Sequence, residues 1–416
     1  MKRTILPIAI LLVLLIFSGC ARFSYVEHRR GYKHLMQPYV RVRILEVDEL
    51  TLESGSPFEL YCMLPDGSTT DYFSNSDLII KAEGSHISVR QKSGLPLESK
   101  LDRVVAVPNR ADFHLTLNGS RFRGIADVII ENGGISVVNA IYMEDYLKGV
   151  LPPEIGKHGR PELEALKAQA VASRTYALSR FRQNPAEPYD MVNEVADQVY
   201  IGMSSEDLWI NEAIEATRGE VLLAGDELII AYYHSTCGGS TDNIEDVWER
   251  QPKSYLKSHD DSLFCEWSKY FEWSFTWSRS QLEESISKYL KQKGRLKKES
   301  FDLANLEVID RLPSGRIRVL KVSAGGDEFL LFKDQIRWAL LRPDREDAIL
   351  PSTNFQLEID RNSSEGSIAR ITATGYGNGH GVGMCQCGAL GRSRAGHRYR
   401  DILGVYYTGA TVTRVY

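Results

Sequence analysis

The sequence predicts an α+β fold from two patterns of apolar residues. Residues 39–125 consist of short segments in which apolar and polar side chains alternate, and turn sequences such as Pro-Asp-Gly-Ser separate them, which is typical of antiparallel strands. The stretch from Pro161 to Tyr176 has the helical period instead, with Ala165, Ala168 and Ala172 on one face. Its first residue, a proline, suits the first position of a helix. We therefore expect a small β module, followed by a domain that combines several antiparallel strands with a central helix.

Turn signals define further elements along the chain. Asn118-Gly119 predicts a hairpin turn, and Gly225-Asp226 predicts a second one, whose outgoing strand ends near His234. Residues 281–293 have a helical pattern, and strands dominate residues 305–374. All of these elements agree with the α+β class.

Length and charge limit the class of protein. The chain has 416 residues, which is enough for about two to three domains with sizeable cores. Its 50 basic and 55 acidic residues give a formal charge of −5, which argues against a nucleic-acid partner because such proteins normally carry a basic excess. No internal stretch is long and apolar enough to span a bilayer.

The N-terminus has the features of an export signal. Lys2 and Arg3 precede an apolar run, and Ser18-Gly19-Cys20 follows it, which resembles a lipoprotein processing site. We expect lipidation of Cys20 and attachment to a membrane through that lipid, with the protein facing the cell wall from an outer membrane or from the outer leaflet of the cell membrane. The alternative is an ordinary secretory signal in which the cysteine is coincidental.

These features suggest a division of the chain. We expect a signal peptide at residues 1–20, a tether at 21–40, the β module at 41–125 and the larger domain at 126–416.

Glu154 is the candidate acid of the larger domain. It follows Pro152 and Pro153, which predict a stiff turn. Lys167 and Arg174 are two helical turns apart and lie on one side of the predicted helix. A carboxylate facing two cations suggests an acid/base site, and the alternative is a solvated glutamate with two surface cations.

Several blocks of the sequence resemble the SpoIID/LytB family (stage II sporulation protein D and amidase enhancers). They occur in the order of the family and are EDYLKGVLPPEI at 144–155, EALKAQAVASRTYAL at 164–178, DQVYIG at 197–202, HSTCGGSTDNIEDVW at 234–248, and the glycine-rich stretch at 377–412. The resemblance implies a SpoIID-like catalytic domain over residues 126–416.

The resemblance also implies an activity. Members of the family cleave the glycan strands of peptidoglycan as lytic transglycosylases and leave a 1,6-anhydro end, and the matching acid here is Glu154. We expect Lys167, Arg174 and His380 to contact the substrate. The alternative is a non-catalytic cell-wall binding protein that recruits or stimulates an amidase.

Cysteines and histidines form a second candidate site. Cys237, Cys265 and Cys385 come from distant parts of the chain, and thiolate and imidazole are ligands that zinc prefers. We expect a zinc site with His234, His380 or Cys387 as the fourth ligand, which would also admit a zinc-dependent wall hydrolase. The alternatives are one or two disulfides, inert thiols, or a Cys/His hydrolase.

Two further predictions concern single segments. Cys62 lies in an apolar strand and is expected to be a buried core thiol. The glycines of residues 375–388 lack the lysine and serine or threonine of a phosphate loop, so we expect them to line a groove for a polymer strand.

Overall fold

The computed structural model describes residues 37–53, 55, 57–110, 113–181, 187–194, 197–363 and 366–416. Helices and antiparallel strands in several sheets make up these ranges, so the predicted α+β class is confirmed. The predicted signal peptide, Cys20 and most of the predicted tether lie outside the described residues. Within the described ranges, no helix has the length and apolar character needed to cross a membrane.

The described chain forms two compact units. The first comprises the described residues up to Lys157, together with Ser173–Val221 and Thr413–Tyr416, and the second comprises His158–Ala172 and Leu222–Val412. The boundaries therefore cut through a helix and two strands that contribute to both units.

Two sheets dominate the first unit. Its strands are β1 (Tyr39–Val47), β2 (Glu49–Glu53), β3 (Phe58–Met63), β4 (Thr69–Ser74), β5 (Leu78–Glu83), β6 (His86–Gln91), β7 (Pro96–Leu101), β8 (Arg103–Pro108), β9 (Leu115–Leu117), β10 (Ser120–Phe122), β11 (Ile125–Glu131), β12 (Gly134–Tyr142) and β13 (Met191–Val192). The seven-stranded sheet has the order β13-β1-β12-β11-β8-β3-β4, and the six-stranded sheet has the order β10-β9-β2-β5-β6-β7. All the pairings are antiparallel except that of β13 with β1, and β8 and β11 are neighbours, so one sheet runs across residue 125.

Local chemistry explains these strands. Val40, Val42 and Ile44 alternate with more exposed side chains along β1, as a strand with one covered face requires. Asn118 and Gly119 have φ values of 46° and 78°, the left-handed conformation of a tight hairpin, which confirms the turn predicted there. Cys62 on β3 is fully buried, as predicted.

Helices α1 (Met143–Ile155) and α2 (Leu163–Arg180) follow β12 of the seven-stranded sheet in the chain. Helix α3 (Leu208–Ala216) comes later. The helix was predicted to begin at Pro161, but α2 begins at Leu163, and Pro161 lies in a 3-10 turn at Arg160–Glu162 that leads into it. The small residues Ala165, Ala168 and Ala172 are all buried along α2.

The second unit contains the remaining elements. They are β14 (Glu220–Ala224), β15 (Glu227–Leu228), β16 (Tyr233–His234), α4 (Ile244–Val247), α5 (Ser262–Cys265), β17 (Glu272–Ser278), α6 (Arg279–Gln292), β18 (Leu303–Arg311), β19 (Ile317–Ala324), β20 (Asp327–Phe332), α7 (Gln335–Ala339), β21 (Phe355–Arg361), β22 (Ile368–Tyr376), β23 (Met384–Cys385), α8 (Gln386–Arg394), α9 (Tyr399–Tyr406) and β24 (Thr411–Arg414). The predicted helix at 281–293 is α6, and the predicted strands of 305–374 are β18 to β22. Gly225 has a φ of 62° in the β14–β15 turn, which confirms the second hairpin turn. The outgoing strand was predicted to end near His234, but β15 ends at Leu228 and His234 lies on the separate strand β16.

This unit has two parts. The larger is a core in which α6 and α7 pack on two three-stranded sheets, β17-β22-β21 and β18-β19-β20. The smaller is the parallel pair of β16 and β23, in which His234 lies opposite Cys385. This short pairing joins two segments that are about 150 residues apart in the chain, and it positions the cysteines described below.

Candidate active site and metal centre

Glu154 is the second-last residue of helix α1, and the turn predicted there was wrong. Pro152 and Pro153 lie inside the last turn of the helix, where each lacks the N–H that would bond to the carbonyl four residues earlier. The carbonyl of Gly149, left free by Pro153, accepts a bond from the Ile201 N–H at 3.4 Å. Another segment therefore supplies the donor that Pro153 lacks.

That segment is residues 197–202, and it holds Glu154 in place. The ring of Tyr200 lies against Gly149, where a Cβ would come within 2.5 Å of a ring carbon, so only glycine fits. The Tyr200 hydroxyl donates to Asn139 Oδ1 at 2.9 Å. With the ring fixed, the preceding N–H of Val199 donates to Glu154 Oε1 at 2.9 Å. Two of the blocks noted in the sequence therefore meet at this carboxyl group.

The environment of Glu154 favours the neutral acid. Burial raises the pKa of Glu154 from its ordinary value of 4.5 to about 7, and the bond from the Val199 N–H opposes this only in part. A pKa near neutrality suits a group that must both give and take a proton.

Arg174 is engaged in a buried ion pair. Its Nη2 lies 2.6 Å from Glu144 Oε2, and its side chain and that of Glu144 are 0% and 1% exposed. The guanidinium also donates to the Glu220 carbonyl, while Glu144 accepts from the hydroxyl of Tyr416 and the N–H of Gly219. The Arg174 guanidinium is not exposed to a glycan in this structure, so the geometry gives no support to the substrate-binding role predicted for Arg174.

The positive charge of Arg174 is compatible with the raised pKa of Glu154 because Glu144 neutralises it. A free cation near Glu154 would lower the pKa of the acid, but the charge of Arg174 is matched by Glu144, whose own pKa is lowered below its ordinary value by the guanidinium although burial opposes this.

Lys167 lies in the second unit on the N-terminal half of α2. Its Nζ is 2.7 Å from Glu164 Oε1 and 6.0 Å from the centre of the Tyr399 ring. About a fifth of its side chain is exposed (19%), so the substrate contact predicted for Lys167 stays a prediction.

His380 is held by backbone groups on both of its ring nitrogens. Nε2 donates to the Tyr233 carbonyl and Nδ1 accepts from the Val382 N–H, each at 3.0 Å. Burial lowers the pKa of His380 to about 4, so the ring is neutral at neutral pH. Its neighbours are the rings of Trp248 and His234, at 4.8 and 5.3 Å between centres. A substrate would therefore meet the face or edge of this ring, and the predicted contact stays a prediction.

Three cysteines and one aspartate form a buried cluster in the second unit. Cys237, Cys265, Cys385 and Asp261 each place one ligand atom so that all four lie within 4.8 Å of one another. All four residues are at most 1% exposed. The structure thus brings together the three cysteines predicted as ligands.

The fourth member of the cluster is Asp261 rather than His234, His380 or Cys387. His234 uses Nδ1 to donate to the Val382 carbonyl, and the sulfur of Cys387 lies 3.2 Å from the hydroxyls of Thr236 and Ser268. The sequence does contain one signal for Asp261, although this residue was not among the predicted ligands. It precedes Cys265 by four residues, so one helical turn puts both on the same side, and the Cys265 N–H does donate to the Asp261 carbonyl at 3.2 Å.

The cluster fits a metal ion by the chemistry of its donors. Cys237 Sγ lies 3.4 Å from Cys265 Sγ and 3.8 Å from Asp261 Oδ2, while the S–S bond of a disulfide is about 2.05 Å long. None of the five described cysteines is in a disulfide. A group of three thiols and one carboxyl can hold a metal ion, since each of the four offers one donor atom.

The glycines of residues 375–388 do not line an open groove, contrary to our prediction. Most of this segment is buried, and a Cβ at Gly383 would come within 2.0 Å of the Tyr232 carbonyl oxygen. A Cβ at Gly377 or Gly379 would likewise press on Cys237 or His234. These glycines let the segment pack closely on β16, which carries His234, and on the residues after it, which include Cys237.

The fold and the site define an α+β protein with a partly buried acid at the end of a helix. Residues 131–223, which include Glu154, match the model of a family described as stage II sporulation protein (SpoIID), which confirms the resemblance to this family that the sequence blocks predicted. Residues 264–383 match a second model, described as a domain of unknown function (DUF8618). Of the four cluster residues, only Cys265 falls inside either match.

The similar proteins include one named amidase enhancer and one named stage II sporulation protein D. An uncharacterized protein of Brachyspira hyodysenteriae is 27% identical over 92% of this chain and 94% of its own length. The amidase enhancer of Bacillus subtilis is 29% identical over 64% of this chain and 40% of its own length. Stage II sporulation protein D of the same species is 28% identical over 66% of this chain and 76% of its own length.

Proposed function

We propose that this protein cleaves the glycan strands of peptidoglycan as a lytic transglycosylase, with Glu154 as its acid and base. The observation that carries the proposal is the state of Glu154, a partly buried carboxyl group whose pKa is raised to about 7 and whose position is set by the Val199 N–H. The names of the similar proteins support a role at the cell wall.

The reaction uses one carboxyl group twice. Glu154 first donates its proton to the glycosidic oxygen, and the bond between that oxygen and the anomeric carbon breaks. The resulting carboxylate then takes the proton of the C6 hydroxyl of the same sugar while O6 bonds to the anomeric carbon. The product has a 1,6-anhydro end, and Glu154 is protonated again.

A single acid is consistent with the surroundings of Glu154. Retaining and inverting glycosidases normally use two carboxyl groups. Glu144, on the same helix, is not free for that task because it is buried and paired with Arg174. An internal nucleophile such as the C6 hydroxyl removes the need for a second carboxylate.

The test is digestion of purified glycan strands, with and without stem peptides, and mass analysis of the ends. We expect 1,6-anhydro ends from the wild type and none from Glu154→Gln, which keeps the shape and the bond from Val199 but cannot donate a proton. Equal amounts of anhydro product from the two proteins would refute the role of Glu154.

The second candidate is a wall-binding protein that stimulates an amidase, favoured by the similarity to a protein named amidase enhancer. The same variant separates the two candidates. If a cell-wall amidase releases stem peptides faster in the presence of the wild type and of Glu154→Gln alike, and neither protein forms anhydro ends, the second candidate is the correct one.

Zinc is the metal that we propose for Cys237, Cys265 and Cys385, because thiolates are preferred zinc ligands. Elemental analysis of protein purified without chelator tests this. A stoichiometric amount of zinc supports the proposal, while a metal-free protein with a disulfide among these cysteines contradicts it.

Attachment to a membrane through lipid on Cys20 completes the proposal. The variant Cys20→Ala should move the protein from the membrane fraction to the soluble fraction. Continued sedimentation with membranes in high salt would show that another feature anchors the chain.

A further inference from the structure

The surroundings of Asp261 are built to orient its carboxylate toward the three sulfurs. Oδ2 accepts from the Tyr406 hydroxyl at 2.7 Å, and Oδ1 accepts from Arg392 Nη2 at 2.8 Å. Arg392 also bonds to His259 Nε2 at 2.9 Å, so the guanidinium is itself held in place. Hydrogen bonds of this kind orient ligand carboxylates and contribute to metal affinity.

A glycine leaves room for this arrangement. A Cβ at Gly388 would lie 1.8 Å from Asp261 Oδ2 and 2.2 Å from the Tyr406 hydroxyl. Any larger residue at position 388, on the first turn of α8, would displace the carboxylate. Glycine at position 388 therefore leaves the space that the Asp261 carboxyl group occupies in the cluster.

Backbone N–H groups donate hydrogen bonds to two of the three sulfurs. The N–H groups of Cys237 and Gly388 lie 3.3 and 3.2 Å from Cys385 Sγ. Cys265 also accepts bonds from the backbone of Gly238 and Gly239. Two of the three sulfurs therefore accept hydrogen bonds from backbone N–H groups, which hold them in place beside Asp261.

We infer that Asp261 is the fourth protein ligand of the zinc site, that Tyr406 and Arg392 position it, and that the site is structural. With three thiolates and one carboxylate all four positions of a tetrahedral zinc site belong to the protein, and such closed sites stabilise folds rather than activate water. The ion would join the end of β16, the turn at α5 and the start of α8 within the second unit. This inference rests on the proposal that the cluster holds zinc, and it is independent of the role of Glu154.

The first experiment measures the ligands in the intact wild-type protein. X-ray absorption at the zinc edge should show three sulfur neighbours at about 2.3 Å and one oxygen neighbour at about 2.0 Å. Four sulfurs would point to Cys387, and the signature of an imidazole ring would point to His234 or His380. Either result would overturn the assignment of Asp261.

The second experiment measures zinc affinity by competition with a chelator. Asp261→Asn should lower the affinity by at least the roughly 10- to 100-fold loss that is usual when a group orienting a ligand is changed, and Tyr406→Phe should lower it by about that much. Asp260→Asn, an exposed neighbour, and Cys387→Ser, a thiol outside the cluster, are the matched controls and should bind zinc like the wild type.

The outcomes separate the two proposals. A wild type that binds no zinc refutes the zinc proposal together with this inference. Zinc in the wild type with unchanged affinity in Asp261→Asn overturns only the fourth ligand. If Asp261→Asn does not fold, unchanged affinity in Tyr406→Phe counts against the inference. A structural site also requires that removing zinc lowers the melting temperature, and an unchanged melting temperature would overturn that part.

Discussion

The ionisation of Glu154 should be visible in the stability of the folded protein, independently of any substrate. Its pKa in the folded state is about 7, against an ordinary value of 4.5. Below pH 4.5 the carboxyl group is protonated in both the folded and the unfolded chain, so it contributes no pH dependence. Between pH 4.5 and 7 only the unfolded chain loses the proton, and the folded state loses stability as the pH rises.

The size of the effect follows from this difference. At 1.36 kcal/mol for each pH unit, ionisation of Glu154 should destabilise the folded state by about 3 kcal/mol at pH 8. Glutamine cannot ionise, so the folded state of Glu154→Gln should not lose this stability as the pH rises. For a unit of this size, about 3 kcal/mol corresponds to a melting temperature higher by roughly 6–12 °C.

The assay is thermal unfolding of the wild type and Glu154→Gln from pH 4 to pH 8.5. The difference between their melting temperatures should grow from pH 4.5 to about 7 and then stay constant. Glu249→Gln, at an exposed position, is the control and should follow the wild type. A difference that does not change with pH would refute a raised pKa at Glu154, and with it the main physical argument for its catalytic role.

Three further predictions concern other measurements. Glycan cleavage should fall as the pH rises through about 7, because the first step needs the protonated form of Glu154, and a rate that still increases at pH 8.5 would contradict this. Arg174→Ala should lower the free energy of unfolding by about 3–5 kcal/mol, because it leaves Glu144 buried and unpaired. The control Arg180→Ala, on the same helix, should lower it by about 1 kcal/mol or less because the Arg180 side chain is more than a third exposed. Equal losses for the two variants in urea titrations would refute this difference. Gly388→Ala should lower zinc affinity in the chelator competition, because its Cβ would overlap the carboxylate of Asp261, and zinc binding equal to the wild type would contradict this close packing.

Local sequence patterns were sufficient for most of the secondary structure. Alternation along β1, the turn at Asn118-Gly119 and the helical pattern of α6 each depend on a few neighbouring residues, so they could be predicted without a fold. The turn at Pro152–Glu154 was predicted wrongly for the same reason. Whether a helix tolerates a proline depends in part on a donor from elsewhere, here the N–H of Ile201 in place of that of Pro153, and a local pattern does not contain it.

By itself, the sequence determined the α+β class, the resemblance to the SpoIID family and the identity of Glu154 and the three cysteines as candidate site residues. Only the tertiary structure decided the environment of those groups. The pKa of Glu154 depends on burial and on Val199, 45 residues away, and Arg174 became a buried structural group because Glu144 and Tyr416 meet it there. Asp261 joined the cysteines because β16 pairs with β23 and Gly388 leaves space for its carboxylate. Burial and contacts between distant residues arise only when the chain packs, and they set the chemistry of each of these groups.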